Sequence, residues 1–195
     1  LGVGTDSLLF SSARYADVTR YNDAQYGLQV SGAVSEGEGT VSYGDHEFAR
    51  FNLQAQRIAG DTQSDLIIAY QDKFFTWPGA YTGFASLPET DHTKLGLALV
   101  NHRVSGRNGW WEFASAYRWL EDDYDFDRRS QESGTTGAFE HETRSFSLAL
   151  SGMQHYAGLD WHISGQFTAD RLLRSTDLTN GDFNSRSYGS LGLAP

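Results

Sequence analysis

Five carboxylates fall within seven residues at Glu121-Asp-Asp-Tyr-Asp-Phe-Asp127. Hard cations such as calcium take roughly six to eight oxygen ligands, and alternate carboxylates on an extended loop could supply several of them. The spacing is not that of an EF-hand, because no Asp-x-Asp-x-Asp-Gly loop with a distal glutamate follows. The competing reading is a solvated acidic loop, partly paired with Arg128 and Arg129. A second stretch, Lys73-Phe-Phe-Thr-Trp-Pro-Gly-Ala-Tyr-Thr-Gly-Phe84, sets Phe74, Phe75, Trp77, Tyr81 and Phe84 around a Trp-Pro-Gly turn. Proline cannot donate to a strand ladder, so the preceding strand stops there. A rigid aromatic loop could stack on a planar or hydrophobic ligand, which makes Phe74, Phe75, Trp77 and Tyr81 candidate ligand contacts. Alternatively it folds into a small core of its own or marks a membrane interface. Asp45 and His46, in Tyr43-Gly-Asp-His-Glu-Phe48, are further candidate contacts unless that segment is a plain turn. The six histidines show no metal-ligand spacing. No nucleophile elbow, P-loop or dinucleotide fingerprint is present, so a non-enzymatic role is expected.

The elements that must position these residues read as strands. From Leu159 to Asp170, Leu159, Trp161, Ile163, Gly165, Phe167 and Ala169 alternate with Asp160, His162, Ser164, Gln166, Thr168 and Asp170. A helix would not separate those sets, whereas a strand places them on opposite faces. Weaker alternation recurs at Tyr26–Ser31, Phe51–Gln56, Leu66–Tyr70, Leu95–Leu99, Trp111–Trp119 and Ser145–Leu150. About nine strands are expected, the first over Thr5–Val18. Short breaks at Ala59-Gly-Asp-Thr62, Ser105-Gly-Arg-Asn108 and His155-Tyr-Ala-Gly158 read as tight turns. Long connections lie between them, at Gly37–Glu47, Phe74–Asp91, Asp123–Glu140 and Ser175–Asp182. Alternating short and long connections, with strands over Gly109–Asp122 and Leu159–Leu172 long enough to cross a bilayer, are the pattern of an outer-membrane barrel. Trp110, Trp111, Trp119, Tyr124, Phe74, Phe75 and Tyr188 at strand ends fit an aromatic girdle.

Composition agrees. Mean hydropathy is −0.48, and no apolar run is long enough for a membrane-spanning helix. Yet aromatics make up 14% of the chain and glycine is abundant. The absence of cysteine rules out disulfides and thiolate metal sites. A formal charge of −10 argues against a nucleic-acid partner, because no basic stripe exists to neutralise phosphates. The chain starts at Leu1 with no secretory signal and stops within strand-like Leu191–Pro195, so both ends read as cuts, with residues 1–195 one segment of a barrel.

The stretch Gln71-Asp-Lys-Phe-Phe-Thr-Trp-Pro-Gly-Ala-Tyr-Thr-Gly-Phe84 resembles a strand-and-loop segment of TonB-dependent outer-membrane receptors of the cobalamin-receptor type. The likeness extends to Tyr43–Phe48, Val100-Asn-His-Arg103 and Trp111–Arg128, covering about two thirds of the chain. Thr76 departs from it, where a glycine is expected before the Trp-Pro pair. The resemblance implies an antiparallel transmembrane β-barrel of about 22 strands with an N-terminal plug lying outside this chain. It further implies a location in the bacterial outer membrane, lipid around the wall, and a scarce nutrient such as cobalamin or a siderophore as ligand. TonB would act only through the absent plug. Because calcium orders extracellular loops in receptors of this type, Asp123, Asp125 and Asp127 become the candidate calcium ligands. The alternatives are a passive outer-membrane porin or channel, and a soluble β-sandwich that binds carbohydrate.

Overall fold

The computed structural model describes residues 1–83, 87–129, 138–176 and 184–195. Ten strands follow in chain order: β1 (Gly2–Val3), β2 (Leu9–Tyr21), β3 (Ala24–Gly37), β4 (His46–Ala59), β5 (Thr62–Thr76), β6 (Thr90–Gly106), β7 (Gly109–Asp125), β8 (Ala138–Tyr156), β9 (Leu159–Ser175) and β10 (Ser185–Ala194). All ten form one antiparallel sheet in which each strand pairs with the next. β1 and β10 are its edges and do not pair with each other, so the sheet is open and not a closed barrel. Nine strands are substantial, from 10 residues in β10 to 19 in β8. The expected first strand lies further along, because residues 4–8 turn back between the two-residue β1 and β2.

Tight turns join β2 to β3, β4 to β5, β6 to β7 and β8 to β9, and all four lie at one end of the sheet. Each leaves two residues unpaired. In the last, Ala157 and Gly158 both take positive φ, 54° and 79°, as a hairpin turn matched to strand twist requires. The Asn22-Asp23 turn escapes the sequence reading because it contains no glycine; Asn22 supplies the positive φ of 51° instead. The longer connections gather at the opposite end. Three of them are shorter than expected, two of these because β5 runs on to Thr76 and β7 to Asp125. Four of the five carboxylates of the acidic run therefore belong to a strand, and only Asp127 lies beyond it.

Register sorts the side chains into two unlike faces. One face carries the row Val30–Leu53–Ile68–Ala98–Tyr117–Phe146–Ala169 and, beside it, Leu28–Ala55–Leu66–Val100–Ser115–Leu148–Phe167. Aromatic residues border these rows on the same face: Phe51, Tyr70 and Trp119 towards the long connections, Tyr26, Phe113 and Trp111 towards the tight turns. The ring of Trp111 lies against Gly152 so closely that no Cβ would fit there. The other face carries Gln29–Gln54–Ile67–Leu99–Ala116–Ser147–Thr168 and Ser31–Asn52–Ala69–Leu97–Arg118–Ser145–Asp170–Arg186. Along these two rows it is polar apart from Ile67, the leucines of β6 and a few alanines, and it is hollowed by cavities of about 740 and 620 Å³. Of the expected girdle residues, Trp111, Trp119 and Phe74 are on the apolar-banded face, whereas Trp110, Phe75, Tyr124 and Tyr188 fall on the polar one. Period-two geometry leaves no other outcome for neighbours such as Trp110 and Trp111.

Among the described residues nothing packs on the apolar rows. Among the described residues Ala24 is the one buried hydrophobic residue. The chain exposes 12983 Å², against about 9,200 Å² for a compact soluble monomer of its mass. A sandwich would lay a second sheet over that band, but all the strands belong to one sheet.

Candidate functional site

At the long-connection end the backbone of residues 77–83 and 87–89 folds back on the ends of β5 and β6. Trp77 N–H donates to the Glu89 carbonyl and Gly79 N–H to that of Leu87. The proline that ends β5 thus starts a hairpin-like excursion that returns at Thr90. Glu89, only 1% exposed, holds the excursion shut. Its carboxylate accepts from the Tyr81 and Thr82 N–H groups, from Thr82 Oγ1 at 2.6 Å, and from the Tyr124 hydroxyl at 2.7 Å. Burial pushes this carboxyl up, but the four donors outweigh burial and hold it below its ordinary value.

Phe75, Trp77, Tyr81 and Tyr124 surround this knot on the polar-face side. Phe75 and Trp77 lie 6.4 Å apart, and Tyr81 stands edge-on to Tyr124 at 5.6 Å. Lys73 sits 4.3 Å over the Phe75 ring. The gap left among these rings is about 10 Å³, no more than one water needs. The cluster is thus a filled small core, with outward surfaces of Trp77 and Tyr81, 61% and 76% exposed, offered at the rim. Those two offer their rings at this rim, while the candidates Asp45 and Phe74 line a separate hollow of about 610 Å³. Phe84 lies outside the described residues.

Phe74 is not with them. It faces the other side, edge-on to His92 at 6.0 Å, and His92 in turn bonds Asp72 at 2.7 Å. Asp45 is occupied: Arg128 donates to both of its oxygens at 2.7 and 2.8 Å, and Thr76 Oγ1 adds a third bond. Because Arg128 N–H also donates to the Pro88 carbonyl, this arginine ties three connections together. His46 bonds Ser35 across the β3–β4 pair at 2.9 Å.

The three calcium candidates do not converge. Asp123 pairs with Arg174 at 3.1 Å. Asp125, 1% exposed, faces back towards the loop and accepts from the Asp127 N–H. Asp127 pairs with Arg129 at 2.8 Å, which holds its carboxyl below the ordinary value. Among the described residues no group of three or more acidic or histidine side chains is placed to hold a metal ion. Asp123 and Asp125 share the banded face, two residues apart on an extended strand, and each meets a different partner.

Glu89, Tyr124 and Arg128 carry the local architecture; Glu89 had no signal in the sequence, and Tyr124 stood out only as a girdle residue. Arg128 adjoins the acidic run, which pointed to a short-range pairing; its partner lies 83 residues away in sequence. No protein-family model, curated protein or solved structure matches the chain.

Proposed function

We propose that the chain is a sector of the wall of an outer-membrane β-barrel, its apolar rows against lipid and its hollow polar face lining the lumen. The observation that carries this is the unpacked apolar band set between two aromatic borders on a sheet with almost no buried hydrophobic residue. From Trp111 to Trp119 along β7 is eight residues, about 27 Å of strand. At a barrel tilt near 40° that is roughly 21 Å of height, close to the ~25 Å apolar band of such walls. Backbone groups along β10, and along β2 beyond its two-residue pairing with β1, would pair with further strands, as lipid cannot satisfy them.

The finer function is uptake of a scarce nutrient, with Trp77 and Tyr81 at the mouth meeting the solute and a plug coupling transport to TonB. Its support is the sequence resemblance over residues 43–48, 71–84, 100–103 and 111–128.

Two measurements separate the levels. The chain has no cysteine, so Ala55→Cys and Gln56→Cys place single thiols on opposite faces of β4. In liposomes a water-soluble maleimide should label Gln56→Cys and spare Ala55→Cys, and detergent-free denaturation should equalise them. Equal labelling in intact liposomes sinks the wall reading. For the finer function, growth of a deletion strain on limiting cobalamin or siderophore-bound iron should need both this gene and TonB. Uptake that persists without TonB identifies a passive channel.

A further inference from the structure

The larger hollow on the polar face, about 740 Å³, spans β7 to β10. One register row crosses it: Arg118, Ser145, Asp170, Arg186. The next row towards the tight turns is Ala116, Ser147, Thr168, Tyr188. Asp170 bonds Arg186 at 2.7 Å, so its single charge is already engaged. Arg118 is left with no hydrogen bond or ion pair among the described residues. Its neighbours across the strands are Leu97 and Ser145, and along its own face of β7 they are Ala116 and Leu120. None of them can neutralise a guanidinium. In a chain of formal charge −10, two guanidiniums, Arg118 and Arg186, share the single carboxylate of Asp170 among the described residues of this hollow, which leaves it locally cationic. The surrounding hydroxyls of Ser147 and Thr168, bonded to each other at 3.2 Å, and the 54% exposed ring of Tyr188 complete a polar floor with one flat wall.

We infer that this hollow binds a small anionic sugar, a hydroxylated solute bearing a phosphate or carboxylate. Arg118 takes the anion through its planar fork of donors. Ser147 and Thr168 exchange their mutual bond for bonds to ring hydroxyls, and Tyr188 lies against the apolar face of the ring. The volume lies within the roughly 300–1,000 Å³ typical of small-molecule sites. The inference rests on the reading that this face lines a lumen open to solutes, and it names the solute class.

The test is calorimetric titration of the protein in detergent with three probes: glucose 6-phosphate, glucose and inorganic phosphate. Glucose 6-phosphate should bind at least tenfold more tightly than either of the others. Arg118→Gln should weaken it at least tenfold, and Arg118→Lys should fall between, since lysine keeps the charge and loses the fork. Arg118 is exposed and makes no hydrogen bond among the described residues, so neither variant threatens folding. The inference is overturned if glucose or phosphate matches glucose 6-phosphate, or if Arg118→Gln binds as the parent does. The maleimide labelling of Ala55→Cys and Gln56→Cys reports separately on the wall reading. Binding lost with the face pattern intact therefore condemns the site alone.

Discussion

The indole nitrogen of Trp119 donates a 2.9 Å hydrogen bond to Glu142, one strand over and one row nearer the long connections. Trp119 belongs to the aromatic border of the apolar band. Glu142 belongs to a charged row, with Asp72, Lys94, Glu121 and Arg174 on the same face. Lys94 pairs with Glu121 at 3.1 Å, and Arg174 reaches Asp123 and Glu140. The bond thus spans the line where one face changes from apolar to ionic. An indole is suited to that place, with its ring against apolar surface and its N–H in a polar layer.

Replacing Trp119 by Phe keeps the ring and removes the donor. The expected loss is small, because solvent screens the Glu142 acceptor. Trp119→Ala should lose distinctly more, because the band's border goes with it. Urea unfolding in liposomes of the two variants checks the order; equal losses would mean that the N–H contributes most of what Trp119 does.

Gly152 offers a sharper probe of the opposite border. The Trp111 ring occupies the space that a Cβ at residue 152 would need. Gly152→Ala must therefore displace the ring, and a loss of about 1–3 kcal/mol is expected from overpacking. A blue or red shift in Trp111 emission should accompany it. An unshifted spectrum with unchanged stability would show that the ring does not rest on residue 152.

Alternation made most of the sheet legible in the sequence. β9 was readable almost residue by residue, since Leu159 to Asp170 obey period two without a break. The direction of the connections was readable too, because tight turns need Gly-Asp, Arg-Asn or Ala-Gly pairs and long ones do not. Loop boundaries were misjudged where charge stood in for structure: Asp123 and Asp125 read as loop, yet β7 runs on through both, with Asp123 paired to Arg174 of β9 and Asp125 buried at the strand's end. Tertiary pairing overrode local polarity there. The knot around Glu89 was not legible, because its donors at Tyr81, Thr82 and Tyr124 meet only once β5, β6 and β7 are in register. Phe74 and Phe75 looked alike in the sequence, and adjacent positions on a strand had to part company.

Arg128 ties Asp45, in the connection after β3, to Pro88, just before β6. Both charged partners are about one third exposed, 36% and 32%, so solvent screens the pair and its worth is of order 1 kcal/mol. Arg128→Ala should raise protease cleavage within residues 77–89 about fivefold, as that energy implies for local opening, and leave global unfolding in place. A variant cleaved at the parent's rate would show that the arginine fastens nothing.

The Glu89 carboxyl is held below its ordinary value in the folded protein. Its contribution is therefore fully present above the unfolded value of about 4.5 and is lost as pH falls through the lower folded value. Acidification from pH 6 should leave the 77–89 excursion closed until below about pH 4.5 and then release it, seen as a change in Trp77 emission. Glu89→Gln should be released already at pH 7 and respond little to acid. An excursion in the parent that opened near neutrality would contradict the assigned donors.

Ile67 and Ile68 give the strongest test of the two faces, because they are the same residue at adjacent positions of β5. Ile68 sits in the middle apolar row, 39% exposed with no protein packed over it, between Leu53 and Ala98. Ile67 points to the hollow face, between Gln54 and Leu99. A lysine at Ile68 would put a charge near the centre of the lipid band, where such substitutions cost about 2–4 kcal/mol. A lysine at Ile67 would meet water and the Gln54 amide, with a change within about 0.5 kcal/mol. The measurement is the pair of unfolding free energies in liposomes, together with the yield of each variant in the outer-membrane fraction. Ile68→Lys should lose stability and yield while Ile67→Lys keeps both. If the order reverses, the face assigned to the lumen is the one against lipid. If both variants match the parent, neither isoleucine meets lipid, and the unpacked apolar band is covered by protein instead.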